Sequence, residues 1–126
     1  MAASENAAIA RQVTDAFEQR DMVTLDRLIA DDIVWHEIGR AEPRRGKDSM
    51  RAAAPGGDEA DYEITGTAHD ILATDDHAVV LVNATATRGG KTFNYRTAEI
   101  YHIRGGQIAE RWAFSDDTAA ISAFFA

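Results

Sequence analysis

The strongest constraint on the fold is a run of four extended segments joined by connections too short for anything except hairpins. The segments are residues 62–73, 77–88, 91–104 and 107–115, and they are rich in β-branched and aromatic residues. The connections "TDD", "GG" and "GG" suit tight turns, because glycine and aspartate tolerate positive φ. This arrangement predicts one antiparallel meander, and hence a sheet that the rest of the chain must cover.

The first quarter of the chain is patterned as helices. Apolar residues at helical spacing predict a first helix over residues 4–19, with Ser4 as its N-cap. A break at Asp21 leads into a second short helix whose apolar face includes Leu28. Both helices therefore offer an apolar stripe to the sheet.

The middle of the chain predicts a short first strand over residues 33–38 and, after a polar loop, a third helix over residues 47–54 that Pro55 and Gly56 stop. Residues 118–125 predict a short closing helix. Helices followed by a meander indicate the α+β class. We expect a cone-shaped, curved, mixed but mostly antiparallel sheet, with three N-terminal helices that enclose a pocket.

The composition narrows the possible functions. The 126 residues fit one domain over residues 1–126, and no apolar run approaches the ~18 residues of a membrane helix. The net charge of −8 repels nucleic acid and anionic membranes, so we expect neither as a partner. The N-terminal stretch lacks a signal-peptide pattern, which predicts a cytoplasmic protein. Without cysteine there is no thiolate nucleophile, and no motif indicates a cofactor.

One basic cluster interrupts the acidic sequence. Arg40, Arg44, Arg45, Lys47 and Arg51 lie close together along the chain. They either hold an anion or form a solvated loop and helix start.

The four histidines show no helical ligand spacing, so we expect no metal, with a dispersed three-histidine site as the alternative. His36 and His102 are secondary site candidates, each of them either a catalytic group or a structural one held by hydrogen bonds.

Large inward side chains of such a sheet would line a blind cavity. The simplest wall combines aromatic residues of the strands with two residues of the helices: Trp35, Tyr101, Trp112, Phe114, Phe17 and Leu28. Alternation along the strands puts a carboxylate beside the aromatics on three faces: Glu37, Glu99, and either Glu110 or Asp116. The expected ligand is a small, mostly apolar organic molecule.

Glu37 is the most suggestive of these carboxylates, because it follows Trp35 by two residues in a predicted strand. A carboxyl group in an apolar pocket has its pKa raised toward neutrality and can shuttle protons. The alternative is that Glu37 lies on the outer face of an edge strand, in water or paired with Arg40 or Arg44.

Two stretches, "LIADDIVWHEIGRAEPRRG" and "AEIYHIRGGQIAERWAFSDD", resemble the nuclear transport factor 2-like superfamily, and within it the SnoaL-like and ketosteroid-isomerase-like branch. The resemblance covers essentially the whole chain and implies a cone-shaped fold and a homodimer. This fold hosts isomerases, epoxide hydrolases, dehydratases, polyketide cyclases and non-enzymatic binders, so it implies no single activity.

The resemblance also suggests roles for residues. Glu37 falls where ketosteroid isomerase carries its carboxylate base, and Glu99 falls near that enzyme's oxyanion-hole acid. The isomerase's helix-1 tyrosine is replaced here by Val13, which donates nothing, and Tyr101 is the substitute.

The cyclase branch uses a histidine and an aspartate, for which His102 and Asp116 are the counterparts. His102 has the opposite strand parity from Glu99, so at most one of the two mechanisms applies.

Three classes of function stay open at this point: an enzyme with acid–base chemistry of the isomerase, cyclase or hydrolase type, a ligand-binding module without turnover, and a dimerising accessory domain with a filled core. A homodimer is expected in each, because an exposed outer sheet face is a liability.

Overall fold

The protein is described from a computed structural model over residues 2–54 and 57–126. The helices are α1 (Ala3–Gln19), α2 (Met22–Leu28), α3 (Lys47–Ala53) and α4 (Thr118–Phe125). The strands are β1 (Ile29–Trp35), β2 (Arg44–Arg45), β3 (Glu63–Ala73), β4 (His77–Arg88), β5 (Lys91–Arg104) and β6 (Gln107–Ser115). The α+β class is confirmed, with the three expected N-terminal helices and a fourth helix at the end.

The six strands form one sheet in the order β2-β1-β6-β5-β4-β3. The meander is antiparallel from β3 to β6, and β1 joins it as a parallel neighbour of β6. The hairpin glycines Gly89, Gly90, Gly105 and Gly106 all have positive φ, as the turn pattern predicted. The strand β2 was not predicted; its two residues lie in the expected polar loop.

Helix boundaries depend on the caps. The predicted N-cap Ser4 lies inside α1, and the capping position is Ala2, which offers no side-chain bond. Asp21 caps α2 through Thr24, and Asp117 caps α4 through Ala120, because each carboxylate accepts a free backbone N–H of the first turn. The predicted stop of α3 at Pro55 and Gly56 lies outside the described residues.

The sheet has an inner face, which α1 covers, and an outer face. We define the inner face by the odd-numbered residues Phe93 to Ile103 of β5 and their cross-strand partners. The core lies between this face and the helices, and its main members are Ile9, Val13, Leu25, Leu28, Ile29, Ile33, Val80 and Ile108. The even-numbered residues of β5 define the outer face, which no helix covers among the described residues.

A β-bulge in β6 decides which of its residues face inward. Ile103 pairs with Ile108, but His102 pairs with Glu110, so Ala109 has no partner residue on β5. Because of this extra residue, even-numbered residues of β6 face inward before the bulge and odd-numbered residues face inward after it. The inner face of β6 therefore carries Ile108 before the bulge and Arg111 after it.

No helix among the described residues is long and apolar enough to cross a membrane.

Candidate functional site

Three neighbouring strands place a row of side chains on the inner face. Trp35 of β1 lies opposite Arg111 of β6, and Arg111 lies opposite Tyr101 of β5. Glu99 precedes Tyr101 by two residues, so it points to the same face. We call Trp35, Glu99, Tyr101 and Arg111 the inner cluster.

Arg111 connects the inner cluster. Its Nη2 donates to Glu99 Oε1 at 3.0 Å, and its Nη1 donates to the carbonyl oxygen of His36 at 2.9 Å. Its guanidinium carbon lies 4.2 Å from the centre of the Trp35 ring, a cation–π distance. The Arg111 and Glu99 side chains are only 12% and 18% exposed. The sheet thus holds a mostly buried ion pair against an aromatic ring.

Hydroxyl groups complete the surroundings of Glu99. Tyr101 donates to Oε1 and Thr97 donates to Oε2, each at 3.4 Å. Burial raises the pKa of Tyr101 well above its usual range, and the Glu99 carboxylate raises it further. Tyr101 therefore keeps its proton at neutral pH and is available as a donor.

Two other tyrosines share the inner side. Burial raises the pKa of Tyr95 to about 12, with a further contribution from the charge of Glu99. The pKa of Tyr62 is also raised, first by burial and then by the charge of Glu37.

Glu37 lies just beyond the end of β1 and is ion-paired. Arg44 donates to its Oε1, and Arg40 Nε lies 4.0 Å from its Oε2. Arg44 also binds Glu59 and the carbonyl oxygen of Ser49, each at 3.2 Å. The expectation that Glu37 is an isolated carboxyl in an apolar pocket is therefore wrong, because the basic loop folds back and pairs with it.

The basic cluster is largely paired with acids. Besides Arg44, Lys47 lies 3.3 Å from Asp26 and 3.0 Å from Asp31, and Arg51 also contacts Asp26. These contacts favour the reading as a loop and helix start over that of an anion site.

The expected aromatic wall is divided between the two faces. Phe17 lies beside Trp35, with ring centres 5.9 Å apart, and Leu28 is buried in the core. Trp112 and Phe114 instead pair with Ile100 and Ala98 on the outer face, where Phe114 is 58% exposed. The prediction that both line the cavity wall is wrong, because it assumed regular alternation along β6, and the bulge at Ala109 turns the residues after it to the opposite face.

The secondary candidates also lie on the outer side. His36 Nε2 is 2.7 Å from Glu110 Oε2 and its ring stacks on Trp112, with centres 5.5 Å apart. His102 Nδ1 is 3.4 Å from His77 Nε2.

Asp116 accepts from the backbone N–H of Arg96 at 3.2 Å. His102 pairs with Glu110, six residues before Asp116, so the two candidates lie ~20 Å apart along the strand. The structure does not bring them together.

Over residues 2–54 and 57–126, no group of three or more histidine and acidic side chains is arranged to hold a metal ion.

Two open grooves lie away from the inner cluster. One, of about 330 Å³, runs beside Tyr62, Arg88 and the β4–β5 hairpin. The other, of about 300 Å³, lies on the outer face beside Phe114 and Asp116. Glu99 lines neither groove.

The candidates named from the sequence did not include Arg111 or Thr97. Alternation along the strand does place Thr97 on the face of Glu99 and Tyr101. Arg111 carried a weaker signal: an arginine between Glu110 and Trp112 in a strand, whose direction depends on the bulge.

The SnoaL-like domain family matches residues 10–111, and the chain belongs to this family. Solved structures share its nuclear transport factor 2-like fold. Bal32a from a soil-derived mobile gene cassette is 24% identical, with a TM-score of 0.84 and 98% of each chain covered.

Two further similar structures carry functional names. An LEH-like epoxide hydrolase of M. tuberculosis is 17% identical, with a TM-score of 0.73, covering 90% of this chain and 84% of that one. A ketosteroid isomerase candidate from Kribbella flavida DSM 17836 is 19% identical, with a TM-score of 0.75, covering 91% and 80%. At these identities the likeness shows the fold alone. No curated protein sequence matches the chain.

Proposed function

We propose that the protein binds a small, mostly apolar organic molecule at the inner face and carries out acid–base chemistry on it without a cofactor. The observation that supports this most is the mostly buried pair of Glu99 and Arg111 beside the Trp35 ring. A buried ion pair adds little stability compared with apolar residues of the same volume, so its presence calls for another reason. Proton transfer at a carboxylate held by fixed donors is such a reason.

The roles in this proposal follow from the contacts. Glu99 takes or returns the proton, while Arg111 and Thr97 hold its carboxylate in place. Tyr101, which keeps its proton, donates a hydrogen bond to the oxygen on which negative charge develops. Trp35 forms the apolar wall beside them.

Glu37 stays a second candidate for the base, on the strength of the resemblance at "VWHEIG". Glu37 is paired with Arg44 and Arg40, just as Glu99 is paired with Arg111. It ranks second because Tyr101, the donor that the reaction needs, contacts Glu99. His102 and Asp116 lack the proximity that a shared mechanism requires.

The experiment is a screen of small apolar ketones, esters and epoxides with the wild-type protein and two matched variants. Glu99→Gln and Glu37→Gln each remove one carboxylate and keep its shape. We expect turnover that Glu99→Gln abolishes and Glu37→Gln retains, with circular dichroism showing that both variants are folded.

Loss of turnover only in Glu37→Gln would reverse the assignment. Saturable binding of these compounds with no turnover by the wild-type protein would make the protein a binding module.

We further propose a homodimer formed through the outer face. Phe114 and Leu72 are 58% and 53% exposed on this face, which also carries the half-buried Trp112 and Ile100. Exposed apolar side chains on an uncovered sheet face favour association.

Sedimentation tests the dimer. The wild-type protein should sediment at twice the 13.7 kDa of one chain. Phe114→Asp should shift it to the monomer, whereas the control Val23→Asp, on the exposed side of α2, should not. A wild-type monomer at micromolar concentration would refute the proposal. The cytoplasmic location stays a prediction.

A further inference from the structure

The inner face has two covers, one at each end. At the end where β5 begins, α4 lies over it. Phe124 stacks on Phe93, with ring centres 5.3 Å apart. The ring of Phe125 is steeply tilted against those of Tyr95 and Tyr62, with centres 6.3 and 4.9 Å away. Phe93 lies opposite Ala86, which is completely buried.

The helix α1 covers the other end. It buries six of its residues, and Asn6 donates to the carbonyl oxygens of Thr74 and Asp75 at 3.0 and 2.8 Å, which fastens the helix to the β3–β4 turn. Ala78, opposite Tyr101, is completely buried and belongs to the core beneath this helix.

The two covers are fastened very differently. The helix α4 has only eight residues and buries only Ile121 fully. Its far end is held by Arg88, whose Nη1 donates to the carbonyl oxygens of Phe124 and Ala126 at 3.0 and 2.5 Å. Asp61 in turn holds Arg88, at 3.0 Å. A helix this short has little stability of its own, so its closed position depends on these few contacts.

The inner cluster lies between the covers. Glu99 is four residues along β5 from Tyr95 and two from Tyr101. Glu99 lines neither open groove and its side chain is only 18% exposed, so movement of one cover would give a ligand more room to reach it.

We propose that α4 is a lid that opens while α1 stays in place, and that its opening uncovers the inner face from Phe93 toward Glu99. The kind of ligand that enters rests on the proposed function, whereas the opening of α4 does not. Local opening draws on the weakly held parts of a fold, and α4 is such a part. The aromatic faces that Phe124 and Phe125 leave would then meet the apolar part of the ligand.

Thiol labelling tests the lid without any ligand. The chain has no cysteine, so each variant carries a single thiol. Ala86→Cys and Ala78→Cys are matched: both positions lie on the inner face of β4, both are completely buried, and they differ in the cover above them. With a chromogenic disulfide reagent under native conditions, we expect Ala86→Cys to react at least about tenfold faster.

Removing the Arg88 side chain, which holds the end of α4, gives a second test. Arg88→Ala should accelerate the labelling of Ala86→Cys several-fold and leave that of Ala78→Cys unchanged. If Ala86→Cys does not fold, Ala84→Cys, opposite Tyr95, takes its place.

Equal labelling rates for the two thiols, or equal acceleration of both by Arg88→Ala, would show that only global unfolding exposes the inner face and would refute the lid. Because no ligand is used, such a result would leave the Glu99→Gln experiment undecided, and the two proposals can fail separately.

Discussion

The two faces of the sheet carry the same three kinds of group: a tryptophan, a cationic or basic side chain, and a carboxylate. The inner set is Trp35, Arg111 and Glu99, and the outer set is Trp112, His36 and Glu110. The inner pair is 12% and 18% exposed, whereas the outer pair is 27% and 32% exposed. Two nearly identical arrangements thus differ mainly in how much water reaches them.

The comparison teaches that distance alone does not rank contacts between a carboxylate and a basic side chain. The outer pair is the closer one, at 2.7 Å against 3.0 Å. Water nevertheless solvates His36 and Glu110 if either partner is lost, while Arg111 and Glu99 depend on each other. Removing one partner of the inner pair should therefore cost more stability than removing one partner of the outer pair.

The largest expected effect follows from breaking the inner pair. Arg111→Met keeps the volume but leaves the Glu99 carboxylate buried without its partner, so we expect the free energy of unfolding to fall by about 3 kcal/mol. Urea denaturation at neutral pH measures it.

The double variant Arg111→Met/Glu99→Leu is the control. It should recover most of the loss, because neither charge then remains buried. A loss below about 1 kcal/mol in the single variant would place the inner pair with ordinary surface pairs.

A pH series sharpens the comparison, since the tyrosines with raised pKa lie on the inner side. Tyr101 and Tyr95 stay protonated in the folded chain at pH values where the unfolded chain ionises, above ~10. The unfolded state then binds fewer protons, so stability is full below pH ~10 and falls as pH rises further. Each tyrosine contributes a loss of about 1.4 kcal/mol per pH unit in that range.

Tyr101→Phe removes one such contribution. Urea denaturation between about pH 9 and 11 should therefore show a shallower alkaline decline in this variant than in the wild-type protein. Identical slopes would mean that Tyr101 ionises as readily in the folded chain as in the unfolded one.

The smallest effect is expected on the outer face. His36→Ala removes the partner of Glu110 and the stack on Trp112, and we expect the free energy of unfolding to fall by less than about 1 kcal/mol. Urea denaturation at neutral pH, in parallel with Arg111→Met, gives the measurement. A loss as large as that of Arg111→Met would remove the distinction between the faces.

The sequence by itself determined the strands and their connections. Alternating β-branched residues between "TDD", "GG" and "GG" leave antiparallel hairpins as the solution, and β3 to β6 end close to where the pattern placed them. The helices were determined for the same reason, since their signals are also local. The shortfalls are β1, which begins at Ile29 rather than at residue 33, and the two-residue β2, which was not predicted.

Local pattern also placed part of the candidate site. Glu99 and Tyr101 share a face because they are two residues apart in one unbroken strand. Phe17, Leu28 and Trp35 were likewise placed toward the interior by spacing alone, and the structure puts them on the inner side.

Only the tertiary structure decided which other groups join them. One unpaired residue, Ala109, turned Trp112 and Phe114 outward and Arg111 inward, and a bulge cannot be read from alternation, because it depends on how two strands pair. The pairing of Glu37 with Arg44 likewise depends on a loop that folds back over seven residues. Strand parity is local, but register and ion pairing are contacts between segments, and these form only when the chain is folded.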